Sequence, residues 1–332
     1  VHRQRLLKNG FLKEVVRGWY ISVPSHEQQG DSTSWYASYW HFCSRYLADR
    51  YGNSYCMSAE QSLQIHSGNR TVPHQLIIRS KSITNAATPL PYGTSLFSMK
   101  STLPEAAEII EIEGIRMLTI PSSLIHCTPT MFTKNPTDVR TALAMIRDSS
   151  EILGLLLDGG HSKIAGRLAG AFRNIGQERI ANDILSAMQK AGYDVRETDP
   201  FETPTPIALS SREKSPYVNR IRLMWNEMRT VVIKHFPKAP GLPKYHEKYM
   251  KLVEEIYVTD AYHSLSIEQY RVTPELIERV CSGAWDANKN KEDKKQRDAM
   301  AARGYWQATQ KVRKSIKKIL NGKNPGKVAD TD

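Results

Sequence analysis

The sequence predicts an α+β protein that is mainly helical, and three features of the chain support this prediction. Short runs with strand-like alternation are confined to the segment before residue 121. From residue 137 onward, apolar residues recur at the spacing of amphipathic helices. The chain has 332 residues, which is longer than one hydrophobic core usually grows, so we expect more than one domain.

The first 23 residues predict the end of a helix followed by a β-hairpin. Asn and Gly at 9–10 are a helix stop, and two β-prone segments at 11–16 and 19–23 flank Arg and Gly at 17–18. Cationic side chains gather on this small unit, which we treat as residues 1–23. They are Arg3, Arg5, Lys8, Lys13 and Arg17.

Residues 24–134 predict an α+β domain. Aromatic and apolar residues recur at helical spacing between Asp31 and Tyr51, which indicates a helix with one buried face, although a stacking platform for bases is an alternative. Ser58 and Gln61 have the spacing of a capping box. Four strand-like segments follow, at 74–79, 94–99, 107–112 and 115–120.

Helical patterns dominate the rest of the chain. Residues 135–195 predict a helical subdomain, and residues 196–217 contain proline, serine, threonine and charged residues typical of a linker. Residues 218–332 predict a second helical part. Its helices are expected at 218–236, 244–257, 273–280 and 292–320.

The composition limits the classes of function. A net charge of +12 suits a nucleic-acid surface and equally any protein with acidic partners. The 4 cysteines show no CxxC or Cys/His spacing, so we expect reduced thiols and no metal site. No apolar run approaches the length that spans a bilayer, and the start lacks a signal-peptide core, so we expect a cytoplasmic protein without membrane contact.

The segment 261–278, AYHSLSIEQYRVTPELIE, resembles the Fic family. In that family a helix bears the pattern [S/T]xxxE[G/N], and its glutamate blocks productive ATP binding by pairing with an arginine of the catalytic motif. Ser264 and Glu268 occupy the serine and glutamate positions, and Gln269 stands where Gly or Asn is usual. The alternative is a chance pattern on a solvated helix face.

Other stretches share this likeness, which runs over nearly the whole chain: RGWYIS, GDSTSWYASYW, AGRLAGAFRNIG and RDAMAARGYWQATQKV. The resemblance implies that the intact protein transfers AMP from ATP to a hydroxyl of a protein substrate, with Mg²⁺ at the phosphates. It also implies that residues 218–332 form the opening helices of an all-α Fic core, with Ser264 and Glu268 as the regulatory, inhibitory residues.

The family's catalytic motif, HxFx[D/E]GNGRxxR, does not occur in this sequence. Its histidine is the general base, and its glycine-rich turn holds the nucleotide phosphates. The string HSKIAGR at 161–167 lacks that turn, so we interpret His161 as structural. We expect the motif to follow Asp332, with no catalytic residue or cofactor in this chain. The lysine-rich segment 289–327 is interpreted as a solvated helix face, with nucleic-acid contact as the alternative.

The stretch RLLKNGFLKEVVRGWYIS resembles the last helix and wing of a winged helix-turn-helix of the abortive-infection-antitoxin type. The resemblance implies DNA contact through the five cations named above, with a helix in the major groove and the hairpin along phosphates. The alternative is a hairpin that is only a structural edge. For the whole protein, the rival hypothesis is a non-enzymatic DNA-binding regulator of antitoxin type.

Overall fold

The computed structural model confirms an α+β fold that is mainly helical, with small sheets. Gln269 and the charged segment 285–296 lie outside the residues that it describes. No helix in the described part of the chain is long and apolar enough to cross a bilayer. The described residues are 2–24, 31–81, 85–209, 213, 215–238, 241–268, 270–284 and 297–332.

The strands lie in the N-terminal part of the chain, as predicted. The elements there are α1 (His2–Lys8), β1 (Leu12–Val16), β2 (Trp19–Ser22), α2 (Thr33–Tyr51), β3 (Cys56–Met57), α3 (Ala59–His66), β4 (Gln75–Ser80), β5 (Ala86–Pro89), β6 (Ser95–Lys100), β7 (Ile109–Ile112) and β8 (Ile115–Leu118). The pairs β1-β2 and β7-β8 are antiparallel hairpins. The order β3-β4-β6-β5 forms a four-stranded sheet in which β4 and β6 run parallel.

Helices make up most of the remaining chain. They are α4 (Ile120–His126), α5 (Thr130–Lys134), α6 (Pro136–Met145), α7 (Ser150–Asp158), α8 (Ser162–Asn174), α9 (Glu178–Lys190), α10 (Pro216–His235), α11 (His246–Glu255), α12 (Tyr257–Ile267), α13 (Pro274–Cys281), α14 (Arg297–Leu320) and α15 (Pro325–Thr331). The helix predicted over 244–257 therefore ends early, at Glu255, and α12 begins at Tyr257.

The chain folds into two compact units. One consists of Val1–Tyr39 together with Pro237–Asp332, and the other is Trp40–Phe236. The N-terminal hairpin therefore shares a unit with the C-terminal helices, although the entire second unit lies between them in the sequence. The boundary near residue 236 does not coincide with the predicted linker at 196–217, which lies within the second unit.

Two turns form where the sequence predicts them. Gly10 ends α1 with φ 70°, and the Phe11 amide donates to the Leu6 carbonyl at 2.9 Å. The β7-β8 hairpin turns at Glu113 and Gly114, whose φ angles of 52° and 75° are both positive. This combination fits a type I′ turn, in which glycine avoids the strain of a left-handed backbone.

The aromatic face of α2 is buried, which favours the packing interpretation over base stacking. Trp35, Tyr39, Phe42 and Tyr46 are all buried. The ring centroids of Trp35 and Tyr39 lie 5.4 Å apart in an edge-to-face contact. Tyr36 is the exception, with 44% of its surface exposed.

The start of the predicted linker is packed against the second unit. The Thr198 amide donates to the Gly166 carbonyl at 3.2 Å, so the chain after α9 lies on α8. Phe201 is buried, and its ring lies 5.6 Å from that of Phe132. Arg140 covers the Phe201 ring at 4.4 Å and also donates to a backbone carbonyl. Proline content therefore marks irregular backbone here, but not a solvated segment.

Gly166 provides a test of this packing, because a Cβ atom there would overlap the backbone carbonyl of Arg196. We expect Gly166→Ala to destabilise the second unit by about 2 kcal/mol or more, since backbone cannot yield as a side-chain tip can. Gly154 on α7 has open space around it. Gly154→Ala should therefore stabilise by about 0.5–1 kcal/mol through helix propensity. Urea unfolding of both variants measures the change in the free energy of unfolding, which should have opposite signs in the two variants. A decrease below about 0.5 kcal/mol for Gly166→Ala would contradict the close approach of Gly166 to the Arg196 carbonyl.

Candidate functional site

The Fic-like pattern lies on α12, whose apolar face packs into a small helical core. Tyr257, Ala261 and Leu265 recur at every fourth residue and are buried. Tyr257 contacts Trp306 of α14 with ring centroids 4.8 Å apart. Val272 and residues of α13 and α14 complete the core, and they are Ile277, Val280, Ala299 and Ala302. This packing gives α12 one fixed face and leaves its polar face free to present side chains.

The polar face carries Asp260, Ser264 and Glu268, again at every fourth residue. Side chains four apart on a helix are neighbours, so these three form one stripe. Glu268 stands at the C-cap, and its amide donates to the Ser264 carbonyl at 3.3 Å. The structure therefore places both pattern residues on the last turn of one helix.

The Glu268 carboxylate is exposed at the end of this stripe. It makes no hydrogen bond or ion pair with any other residue in the described ranges, so its charge is available to an external cation. Backbone amides close this end of α12, since the Tyr270 amide also donates, to the Leu265 carbonyl at 3.0 Å. Gln269, which departs from the family pattern, lies outside the described residues.

Tyr305 of α14 connects two residues of the stripe. Its hydroxyl donates to Asp260 Oδ2 at 2.7 Å and lies 3.2 Å from Ser264 Oγ. Burial raises the pKa of the Tyr305 phenol, and the neighbouring Asp260 and Glu268 carboxylates raise it further. The phenol is therefore protonated at neutral pH. Its hydroxyl can act as the hydrogen-bond donor to the Asp260 carboxylate.

The sequence interpretation missed Asp260 and Tyr305. Asp260 could have been found, because it lies four residues before Ser264 and therefore on the same helix face. Tyr305 lies 41 residues from Ser264 in the chain. No spacing rule connects two positions so far apart, so tertiary packing alone brings the phenol to this stripe.

The hairpin and the end of α12 border one small cavity within their shared unit. The cavity measures 180 Å³, and its lining includes Ser22 at the end of β2, Ser34 on α2, and Ser266 and Arg271 around α12. Ser266 Oγ is buried and has no hydrogen-bond partner among the described residues. Two segments that the sequence placed in different domains are thus close in space.

The cations of the hairpin unit have different environments. Arg3, Arg5, Lys8 and Arg17 are exposed, whereas Lys13 is half-buried. The Arg3 guanidinium lies 5.7 Å from the centre of the Tyr20 ring. Four of the five predicted DNA-contacting side chains are therefore accessible on α1 and the hairpin turn.

Two carboxylates lie among these cations. Glu14 accepts from the Gly18 amide at 3.0 Å, and this bond chiefly lowers its pKa, with Arg3 and Arg17 adding smaller effects. Hydrogen bonds from Thr33 lower the pKa of Asp31, with smaller contributions from His263 and Lys13. Lys13 therefore lies close enough to lower the pKa of the Asp31 carboxyl through charge attraction. This attraction reduces the availability of Lys13 to a phosphate.

The HSKIAGR segment at 161–167 forms no phosphate-binding turn. His161 is the N-cap residue of α8, and its backbone carbonyl accepts from the Ala165 amide at 2.8 Å. The Arg167 guanidinium lies 5.3 Å from the centre of the Phe132 ring, and burial lowers its pKa. Both residues therefore have structural environments in the second unit.

The cysteines are poor nucleophiles in these environments. Cys43, Cys56 and Cys127 are buried, and Cys281 is partly buried. Burial raises the pKa of Cys56 to about 11 and that of Cys127 to about 12, so these two thiols are protonated at neutral pH. The described residues contain no group of three or more His, Cys, Asp or Glu side chains placed to hold a metal ion.

Comparisons with family models, curated proteins and solved structures found no match to this chain. A functional interpretation must therefore be argued from the side chains themselves. Two groups stand out in the first unit: the stripe on α12 that ends at Glu268, and the exposed cations of α1 and the hairpin.

The hairpin can be tested by salt dependence. If Lys13 and Arg17 contact DNA phosphates in the intact protein, Lys13→Ala plus Arg17→Ala should weaken binding to all sequences and reduce the slope of log K against log salt by up to about two. Lys163 and Lys190 are exposed on α8 and α9. Their double alanine variant removes the same charge elsewhere and is the control. Equal slopes for the two double variants would show that the hairpin is a structural edge.

Proposed function

We propose that this chain is the regulatory and recognition portion of a Fic-type protein that transfers AMP from ATP to a hydroxyl of a protein substrate. The observation that carries the proposal is the carboxylate of Glu268, which is exposed at the end of α12, one turn after Ser264, and pairs with no other described residue. A carboxylate held on a packed helix can pair with an arginine supplied from outside the described residues.

The inhibitory chemistry follows from competition between two anions for one cation. An arginine that binds the γ-phosphate of ATP cannot at the same time pair with a carboxylate in the same place. Carboxylate-arginine pairs are charge-assisted and often bidentate, so they are strong enough to displace a phosphate oxygen. Glu268 would then let ATP bind only in an unproductive position.

ATP and Mg²⁺ would act in a catalytic segment that supplies the general base and the phosphate-binding turn. The motif HxFx[D/E]GNGRxxR is not present in residues 1–332. The proposal therefore requires it in sequence encoded after residue 332. Sequencing that part of the gene is the most direct test. A reading frame that reaches its stop codon without encoding the motif would contradict the proposal.

A DNA-binding regulator of antitoxin type is the second candidate, because Arg3, Arg5, Lys8 and Arg17 are exposed on one small hairpin unit. In this function the α12 stripe would be only a binding surface. The two candidates differ in their need for the catalytic motif. They also differ in the expected effect of losing the Glu268 carboxylate.

We expect Glu268→Gly to raise AMP transfer by the intact protein roughly ten- to a thousandfold, because the loss of a charge-assisted pair is worth a few kcal/mol. Stability should change by no more than about 0.5 kcal/mol at this exposed position. Self-modification with labelled ATP and Mg²⁺ measures the rate. The 332-residue chain alone is the blank and should incorporate no label.

Glu255→Gly is the control, since Glu255 is also an exposed glutamate at the C-terminal end of a helix, and its 4.0 Å contact with Lys251 Nζ stays within that helix. It should leave the rate of AMP transfer unchanged. Equal rates for wild type and Glu268→Gly, with both proteins folded and both binding ATP, would contradict the inhibitory role.

A further inference from the structure

We propose that Tyr305 is a positioning residue that holds the last turn of α12 against α14 and thereby sets where Glu268 is presented. The inhibitory role of Glu268 belongs to the proposed function, on which this inference rests. The contact between the two helices is independent of that function, and it can be tested separately.

One phenol oxygen bridges two turns of α12. It lies 2.7 Å from Asp260 Oδ2 and 3.2 Å from Ser264 Oγ. Asp260 and Ser264 are one turn apart, and Glu268 follows after one further turn. The bridge therefore reaches Ser264, the first residue of the turn that ends at the exposed carboxylate.

Backbone hydrogen bonds close the last turn of α12. The Glu268 amide donates to the Ser264 carbonyl at 3.3 Å, and the Tyr270 amide donates to the Leu265 carbonyl at 3.0 Å. Ile267, next to Glu268, is 66% exposed, whereas Leu265 is buried. Ser264 therefore contacts the Tyr305 phenol through its side chain and holds the Glu268 amide through its carbonyl. A shift of Ser264 would move the backbone that carries the Glu268 carboxylate.

Tyr305 is itself well anchored. It lies on the 24-residue helix α14, between Ala302, which is buried, and Trp306, which packs against Tyr257. Its backbone carbonyl accepts from Thr309 Oγ1 at 2.9 Å. The phenol therefore reaches α12 from a fixed backbone, so it can restrain the position of Ser264 on that helix.

Amide hydrogen exchange on the 332-residue chain tests the contact. Tyr305→Phe keeps the ring and removes only the bridging oxygen. We expect exchange of the Glu268 amide to become about fivefold faster, the factor for one hydrogen bond of typical net strength. Ser264→Ala removes the other side of the bridge and should have a similar effect. Tyr249→Phe on α11 is the control, since that phenol is exposed and has no hydrogen bond within the described ranges. Unchanged exchange in folded Tyr305→Phe and Ser264→Ala would overturn the proposal.

AMP transfer by the intact protein tests the consequence. Tyr305→Phe should raise the rate about two- to tenfold, and the double variant with Glu268→Gly should be no faster than Glu268→Gly alone, because both act on one contact. A rise for Glu268→Gly with no rise for Tyr305→Phe would overturn the positioning role and leave the proposed function intact. No rise for Glu268→Gly would overturn the proposed function and the regulatory part of this inference with it.

Discussion

Burial of the aromatic face of α2 is the packing constraint that recurs along this whole helix. Five large side chains on it are buried: Trp35, Tyr39, Phe42, Tyr46 and Leu47. Aromatic side chains bury large areas, and each fully buried one stabilises a core by roughly 2–3 kcal/mol. The aromatic spacing that predicts this helix is therefore also the spacing of its buried face.

The C-terminal helices of the first unit show how a modest core can position a row of polar side chains. Tyr257, Ala261 and Leu265 fix one face of α12, and the adjoining row carries Asp260, Ser264 and Glu268. A charged side chain on such a face costs little to expose, because water solvates it fully. The same carboxylate would be expensive to bury without a partner, which fits the exposed position of Glu268 at the end of α12.

The cations of the hairpin unit illustrate why composition alone could not assign a function. The net charge of +12 is distributed over both units, and carboxylates lie among the hairpin cations. Glu14 lies near Arg3 and Arg17, and Lys13 acts on Asp31 within its own unit. Local pairing reduces the field that a phosphate backbone would experience, so accessible cations matter more than total charge.

Local interactions were predictable from the sequence, and non-local ones were not. The α+β class, the hairpin, the Ser58 cap and the Glu113-Gly114 turn all depend on residues a few positions apart. Strand β5 has the weak β-former sequence AATP, and it forms only because β6 offers backbone partners. Likewise, the sequence alone identified Ser264 and Glu268 as a helix-spaced pair. Tertiary structure alone brought Tyr305 to that pair and joined the N-terminal hairpin to the C-terminal helices, because contacts between distant segments depend on how whole faces pack.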